Sequence, residues 1–200
     1  KGYLKTGNSE SRQLFRDGLA LAEKINSSRW KQEFTLYIGI DINTTSNSDS
    51  AVYYLKKCMQ MKDAETTPEI IFQSYFGLGQ AYLKTGNTKD ATSNLLEALK
   101  VVNQPDAQLK RANIYRMLSL VMAQLGEDRK SIDYGVQGIN CLGDSLHPDR
   151  VAIIYGQLSG IYFGMGHKDS SLYAIQKSFE YAEKSKNESS IMYALLNYIT

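Results

Sequence analysis

Apolar and small residues recur along this chain with a period of forty. Tyr75, Leu78, Gly79 and Tyr82 lead to Gly86-Asn87 and then to Ala91, Leu95 and Ala98. Forty residues later Tyr115, Leu118, Ser119 and Met122 lead to Gly126, then to Ser131, Gly135 and Gly138. Forty more give Tyr155, Leu158, Ser159 and Tyr162, then Gly166, then Ser171, Ile175 and Ser178. Forty before the first set come Ile38-Gly39 and Ile42, with Ser46 in the turn, then Ala51, Leu55 and Cys58. Within a unit the spacings of three, four and seven put these positions on one face of a helix. The Gly86-Asn87 pair then offers the left-handed conformation that ends a helix, and a second helix follows. The pattern predicts helices over 28–44, 48–62, 68–85, 88–103, 106–125, 128–143, 148–165 and 168–186.

The small residues predict how the two helices of a unit meet. Gly79, Ser119 and Ser159 are expected to face Ala91, Ser131 and Ser171, so that antiparallel helices approach closely, while aromatic columns fill the space between units. Pro68, Pro105 and Pro148 all fall between one unit's second helix and the next unit's first. Thr67-Pro68-Glu69 reads as an N-cap, a proline in the first turn and an acid that complements the helix dipole. Partial units stand at both ends. Tyr3, Gly7-Asn8, Ser11, Phe15 and Gly18 match a shortened first one, and Ile191, Tyr193 and Leu196-Asn197 open a sixth. The expected organisation is one array over 1–200: a partial unit at 1–26, units near 28–66, 67–105, 106–146 and 147–187, and a truncated unit at 188–200. The polar runs Asn43–Ser50 and Lys184–Ser190 read as turns. The chain opens without methionine and stops inside an apolar pattern, which reads as a fragment of a longer protein; its compartment stays open, with the cytoplasm favoured over a bacterial periplasm.

Composition narrows the function classes. Of 200 residues 42% are hydrophobic, as in a folded chain. The 23 basic and 21 acidic residues are intermixed at a net +2, without the basic stripe of a nucleic-acid binder. No apolar run approaches the ~20 residues that span a bilayer. Cys58 and Cys141 lie among apolar helical neighbours two units apart, so both are expected free and mostly buried rather than bridged.

Chemistry-bearing patterns are sparse. Gly77-Leu-Gly79 and Gly164-Met-Gly166 follow helices, whereas a phosphate-cradling loop follows a strand. His147 and His167 sit at turns in different units with no ligand set at metal spacing. Asp41 and Asp49 read as ordinary helix-end or turn acids. No catalytic residue, metal or cofactor is expected, and the chain is not expected to be an enzyme. Most of the fourteen tyrosines occupy packing columns; Tyr37, Tyr173 and Tyr198 are the ones left to meet a partner.

Tyr75, Leu78-Gly79, Tyr82, Gly86, Ala91, Leu95 and Ala98 together resemble the tetratricopeptide repeat family, and the resemblance covers essentially the whole chain. A forty-residue period exceeds the common one of about 34 and is similar to the longer-repeat subgroup. Gly143–Asp149 before Val151 is similar to the inter-repeat loop of kinesin-light-chain-type repeats. The resemblance implies an all-α, right-handed α-α superhelix of about five helix-turn-helix repeats. It also implies a concave face lined by the first helix of each unit. The columns offset from the packing positions place Gln73, Phe76, Gln80 and Lys84 there, with Asn113, Arg116, Leu120 and Gln124, and with Gly156, Gly160 and Phe163; Glu33, Leu36, Ile40 and Asn43 fall in the same columns. Leu36, Ile40, Phe76 and Gln80 occupy the places of the lysine-and-asparagine clamp of chaperone adaptors, which argues against that role. Gly156, Gly160 and Gly164 are expected to admit a closely packed helix, from the sixth unit, with a ligand hollow as the other reading. The implied function is a non-catalytic protein- or peptide-binding scaffold, the sensory or regulatory region of a larger bacterial regulator. The alternative is a self-associating structural adaptor.

Overall fold

The computed structural model describes residues 9–199 except 46, 103, 105, 106 and 144–146. Ten helices follow one another, and no strand occurs among the described residues. They are α1 (Ser9–Lys24), α2 (Ser28–Thr44), α3 (Ser48–Gln60), α4 (Pro68–Lys84), α5 (Thr88–Val101), α6 (Gln108–Gln124), α7 (Asp128–Leu142), α8 (Pro148–Gly164), α9 (Lys168–Ser185) and α10 (Glu188–Ile199). For α2 to α9 every end lies within two residues of its sequence expectation. The supposed polar turns are shorter than the polar runs, since Asn43 and Thr44 close α2 and Ser48 already opens α3. The expectations on Tyr3, Gly7-Asn8, Ser46, Pro105 and the 144–146 loop, and on the side chains of Tyr193, Leu196, Asn197 and Tyr198, lie outside the described residues.

The chain forms two compact units, Lys1–Val102 and Asn103–Thr200. In the first, α2 pairs with α3 and α4 with α5, while α1 packs on α2 and α3 on α4. In the second, α6 pairs with α7 and α8 with α9, α7 packs on α8, and α10 packs on both α8 and α9.

The turns between paired helices are built alike. Gly86 (φ 74°), Gly126 (φ 71°) and Gly166 (φ 76°) take the left-handed conformation. After each, the next amide reaches back five residues: Asn87 to Tyr82, Glu127 to Met122 and His167 to Tyr162, each at 2.9 Å. This geometry satisfies the last carbonyls of the helix. Asn87 is not part of the left-handed pair; its side chain accepts the amide of Asp90 at 3.2 Å and starts α5. Asn26 (φ 50°) repeats the turn between α1 and α2, with Ser27 N–H on the Ala22 carbonyl. Thr67 caps α4, accepting from the Ile70 amide, and Pro68 follows in the first turn.

Close helix contact is visible at the glycines. A Cβ on Gly79 would lie 2.6 Å from Leu95 Cγ, and one on Gly39 2.9 Å from Leu55 Cγ. Leu55 also fills the space over Gly77, 3.0 Å from a Cβ there, so one fully buried leucine of α3 seats against both α2 and α4. At Gly135 the peg is reversed: Leu158 of α8 occupies the position, 2.6 Å from a would-be Cβ. The serines act differently. Ser131 Oγ donates to the Ser119 carbonyl at 2.7 Å and Ser171 Oγ to the Ser159 carbonyl at 2.9 Å, so each hairpin of the second unit is joined by a buried hydroxyl.

Asp41 corrects its sequence reading. It is 1% exposed, held by Arg12 Nε at 2.8 Å and Ser11 Oγ at 3.2 Å across the α1–α2 contact. Both cysteines are free; Cys58 is buried, but Cys141 is only half-buried. Burial raises the Cys58 thiol pKa, partly offset by the Ser74 hydroxyl at 3.4 Å. Thiolate is the reactive form, so a thiol reagent is expected to label Cys141 first in the native protein. Denaturant should release both thiols; equal native rates at the two sites would contradict this.

Candidate functional site

The eleven expected groove residues divide between the two units. In the first, Gln73, Phe76, Gln80 and Lys84 all lie on α4. Much of what they offer is used within the protein. Gln73 Nε2 donates to Glu69 at 2.7 Å, and the Phe76 ring stacks on Phe72 at 5.6 Å. Gln80 Oε1 accepts from Asn43 Nδ2 at 3.5 Å, the same amide that donates to the Gly77 carbonyl at 3.3 Å. Lys84 Nζ donates to the main-chain carbonyl of Asn43, one of the last carbonyls of α2 that lack an intrahelical partner. The α2 residues assigned to this surface are also partly withdrawn. Leu36 is 2% exposed and Asn43 is buried, its Oδ1 without a hydrogen-bond partner.

In the second unit Asn113, Arg116 and Leu120 are half-buried on α6 and Gln124 is exposed at its end. Gln157 of α8 donates to the Arg116 carbonyl at 3.3 Å and to Ser119 Oγ at 2.9 Å, which brings the two helices together. On α8 the environment opens toward the C-terminal end. Gly156 is buried, Gly160 and Gly164 are exposed, and Phe163 is 66% exposed. A Cβ on Gly160 or Gly164 would meet nothing within 4 Å. The closely packed helix expected over these glycines is therefore not what lies at these two; α10 does pack on α8, but not here. Gly160→Ala is expected to stabilise the protein by about 0.5–1 kcal/mol, since alanine is the better helix former and nothing blocks it. A lower denaturant midpoint for that variant would show that the space is occupied.

The second helix of the last full hairpin carries a polar-aromatic face that the groove columns do not include. Tyr155 stacks on Tyr181 at 5.8 Å, Lys184 lies 4.7 Å from the Tyr181 ring centroid, and Lys177 lies 5.9 Å from that of Tyr173. Glu180 accepts from Lys177 at 2.8 Å and from Lys184 at 2.6 Å, and these two bonds lower its pKa to about 2. Burial raises that of Tyr155, with Tyr173 and Tyr181 adding to it. The i, i+3 and i, i+4 spacings of Tyr173, Lys177, Glu180, Tyr181 and Lys184 were the available signal. Of the tyrosines singled out, Tyr173 is exposed, whereas Tyr37 stacks on Phe15 at 5.5 Å and serves packing. Among the described residues no group of three or more His, Cys, Asp or Glu is placed to hold a metal ion, and no helix is long and apolar enough to cross a membrane.

No family model and no curated protein matches this sequence. Solved structures do. BtubC (BKLC) from P. vanneervenii superposes with a TM-score of 0.75 at 14% identity, over 96% of this chain and 82% of that one. MamA gives 0.64 at 22% identity, over 92% and 99%. The apo form of RapI gives 0.68 at 12% identity, over 94% of this chain but 60% of its own length. The fold is thus the all-α tetratricopeptide type of consecutive helix-turn-helix repeats.

Proposed function

We propose that the chain is a non-catalytic protein- or peptide-binding scaffold, and that the first-helix face of the second unit is where its partner docks. Phe163 carries this reading. A phenylalanine 66% in solvent is costly to leave bare, and its flanking glycines keep the ground beside it clear. Half-buried Asn113, Arg116 and Leu120 on the neighbouring first helix suit the polar margin of such a contact. Similarity in fold to MamA and RapI supports a scaffold role. The sensory or regulatory region of a larger bacterial regulator is the context we favour. The forty-residue period supports the longer-repeat subgroup.

Peptides selected from a random library against the whole chain provide the test. Phe163→Ala is expected to weaken their binding by about tenfold or more, as for an aromatic anchor, and Gly160→Trp should block it by filling open space. Selected peptides that bind both variants like the parent would move the site elsewhere. A self-associating adaptor is the second reading, favoured by Leu14 and Leu21 on α1 and Ile25 just after it, which are 50%, 59% and 60% exposed. Sedimentation velocity over a concentration series separates the two: a monomer throughout leaves the peptide-binding scaffold.

A further inference from the structure

Residues forty apart have corresponding neighbours in each hairpin, so α10 can be set against the other first helices. Ala194 of α10 clusters with Ala152 and Ala182 as Ile154 of α8 clusters with Ala112 and Leu142, which keeps α10 in the forty-residue register. In that register Met192 stands in the column of Gln32, Phe72, Ala112 and Ala152, all of them buried. Their cover comes from the second helix of their own hairpin. Gln32 Nε2 donates to the Cys58 carbonyl of α3 at 3.1 Å, and Ser178 Oγ of α9 donates to the Ala152 carbonyl at 2.8 Å. A Cβ on Gly138 of α7 would lie 3.3 Å from the Ala112 carbonyl. Of these five residues only Met192 is exposed, at 62%.

The opposite side of a hairpin is bare on α1. Leu14 and Leu21 are exposed there. Their equivalents on α7 and α9 are half-buried or buried: Tyr134 and Ala174 for the one, Cys141 and Tyr181 for the other. Here the first helix gives the cover, since Tyr115 of α6 stacks on Tyr134 at 6.1 Å and Tyr155 of α8 on Tyr181 at 5.8 Å. One molecule thus carries a first-helix column that lacks its second helix and second-helix columns that lack their first. Both are apolar, so bringing them together removes both from water. The other hairpins show the antiparallel packing that does so.

We infer that α10 of one copy packs antiparallel on α1 of a second copy, closing between two chains a hairpin that neither closes alone. This contact rests on the self-associating reading and uses neither Phe163 nor the glycines beside it. It is head-to-tail, because the surfaces that meet are different. Each copy in a dimer therefore keeps one half open, and further copies can add.

Sedimentation velocity of the whole chain and two variants tests the contact. The parent is expected to pass beyond a dimer as its concentration rises. Met192→Asp and the double variant Leu14→Asp, Leu21→Asp should each stay monomeric where the parent assembles. A charge set against an apolar column should lower the association constant about tenfold or more. All three side chains are exposed in the single chain, so the urea midpoints of both variants should match the parent. The two variants mixed are expected to form a dimer and stop there, since each supplies the half that the other has lost. A leucine variant that is monomeric while Met192→Asp assembles like the parent would keep self-association and overturn α10 as the partner. A mixture no larger than its components would also overturn the contact alone, whereas a parent that is monomeric at every concentration would overturn both the contact and the self-associating reading.

Discussion

Arg12→Met is expected to destabilise the first unit by about 2–3 kcal/mol, a large effect for one side chain 39% exposed to solvent. The cost arises at the other end of the contact. Asp41 is 1% exposed, and its Oδ2 lies 2.8 Å from Arg12 Nε, so the substitution withdraws the guanidinium and leaves the carboxylate in its buried place. Because Arg12 reaches water, the value falls somewhat below the ~3–5 kcal/mol that breaking a fully buried pair costs. The double variant Arg12→Met, Asp41→Leu should recover most of the loss. The equivalent positions forty, eighty and 120 residues on are Ala81, Val121 and Ile161, so the site suits an apolar side chain elsewhere in the array. Urea unfolding of the two single variants and the double one gives the coupling. If the double variant is as unstable as Arg12→Met, the contact is not a pair that apolar packing can replace.

Leu55→Ala is expected to cost more, about 3–4 kcal/mol. Leu55 is fully buried, and its Cγ and Cδ atoms fill the spaces left by Gly39 of α2 and Gly77 of α4. Neither glycine has a side chain that could move into the vacancy. Collapse would require the α2 and α4 backbones to shift, so most of the cavity should persist. The fluorescence of Trp30 on α2, followed through denaturant, reports on this unit. A loss under about 1 kcal/mol would mean that the helices do close over the gap.

These two sites also show what could be read from the sequence. Gly79 was expected to let two helices approach, and Leu95 lies 2.6 Å from where its Cβ would be. Ser119 was expected to face Ser131, and their hydroxyls are 3.2 Å apart. Such contacts lie within a hairpin and recur every forty residues, so periodicity reveals them. Asp41 was read as a turn acid because its partner sits 29 residues away on another helix, and no repeat of the pair exists to expose it. The expected groove was legible as a set of columns but not as a surface. Glycines at 39 and 77 let both α2 and α4 close on Leu55 of α3, and the adjoining columns are drawn in as well. Leu36 becomes buried and Lys84 reaches Asn43. Where no helix presses, at Gly160 and Gly164, the same columns stay open. Residue spacing records which side of a helix faces its hairpin partner; it does not record how far away the next hairpin stands.

The left-handed glycines have a use beyond closing hairpins. Around Gly86, Gly126 and Gly166 a Cβ would meet nothing within 4 Å, and each turn is stitched by its own main-chain bonds rather than by side chains reaching in from elsewhere. Extra chain spliced in just after such a glycine would disturb no core residue, provided its first amide takes over the bond that now reaches back to Tyr82, Met122 or Tyr162. Lengthening a flexible loop is cheap, about 0.6 kcal/mol for each doubling. These turns are therefore natural ports at which a fluorescent reporter, an affinity tag or a whole guest domain can be grafted, at intervals of forty residues and without rebuilding the array.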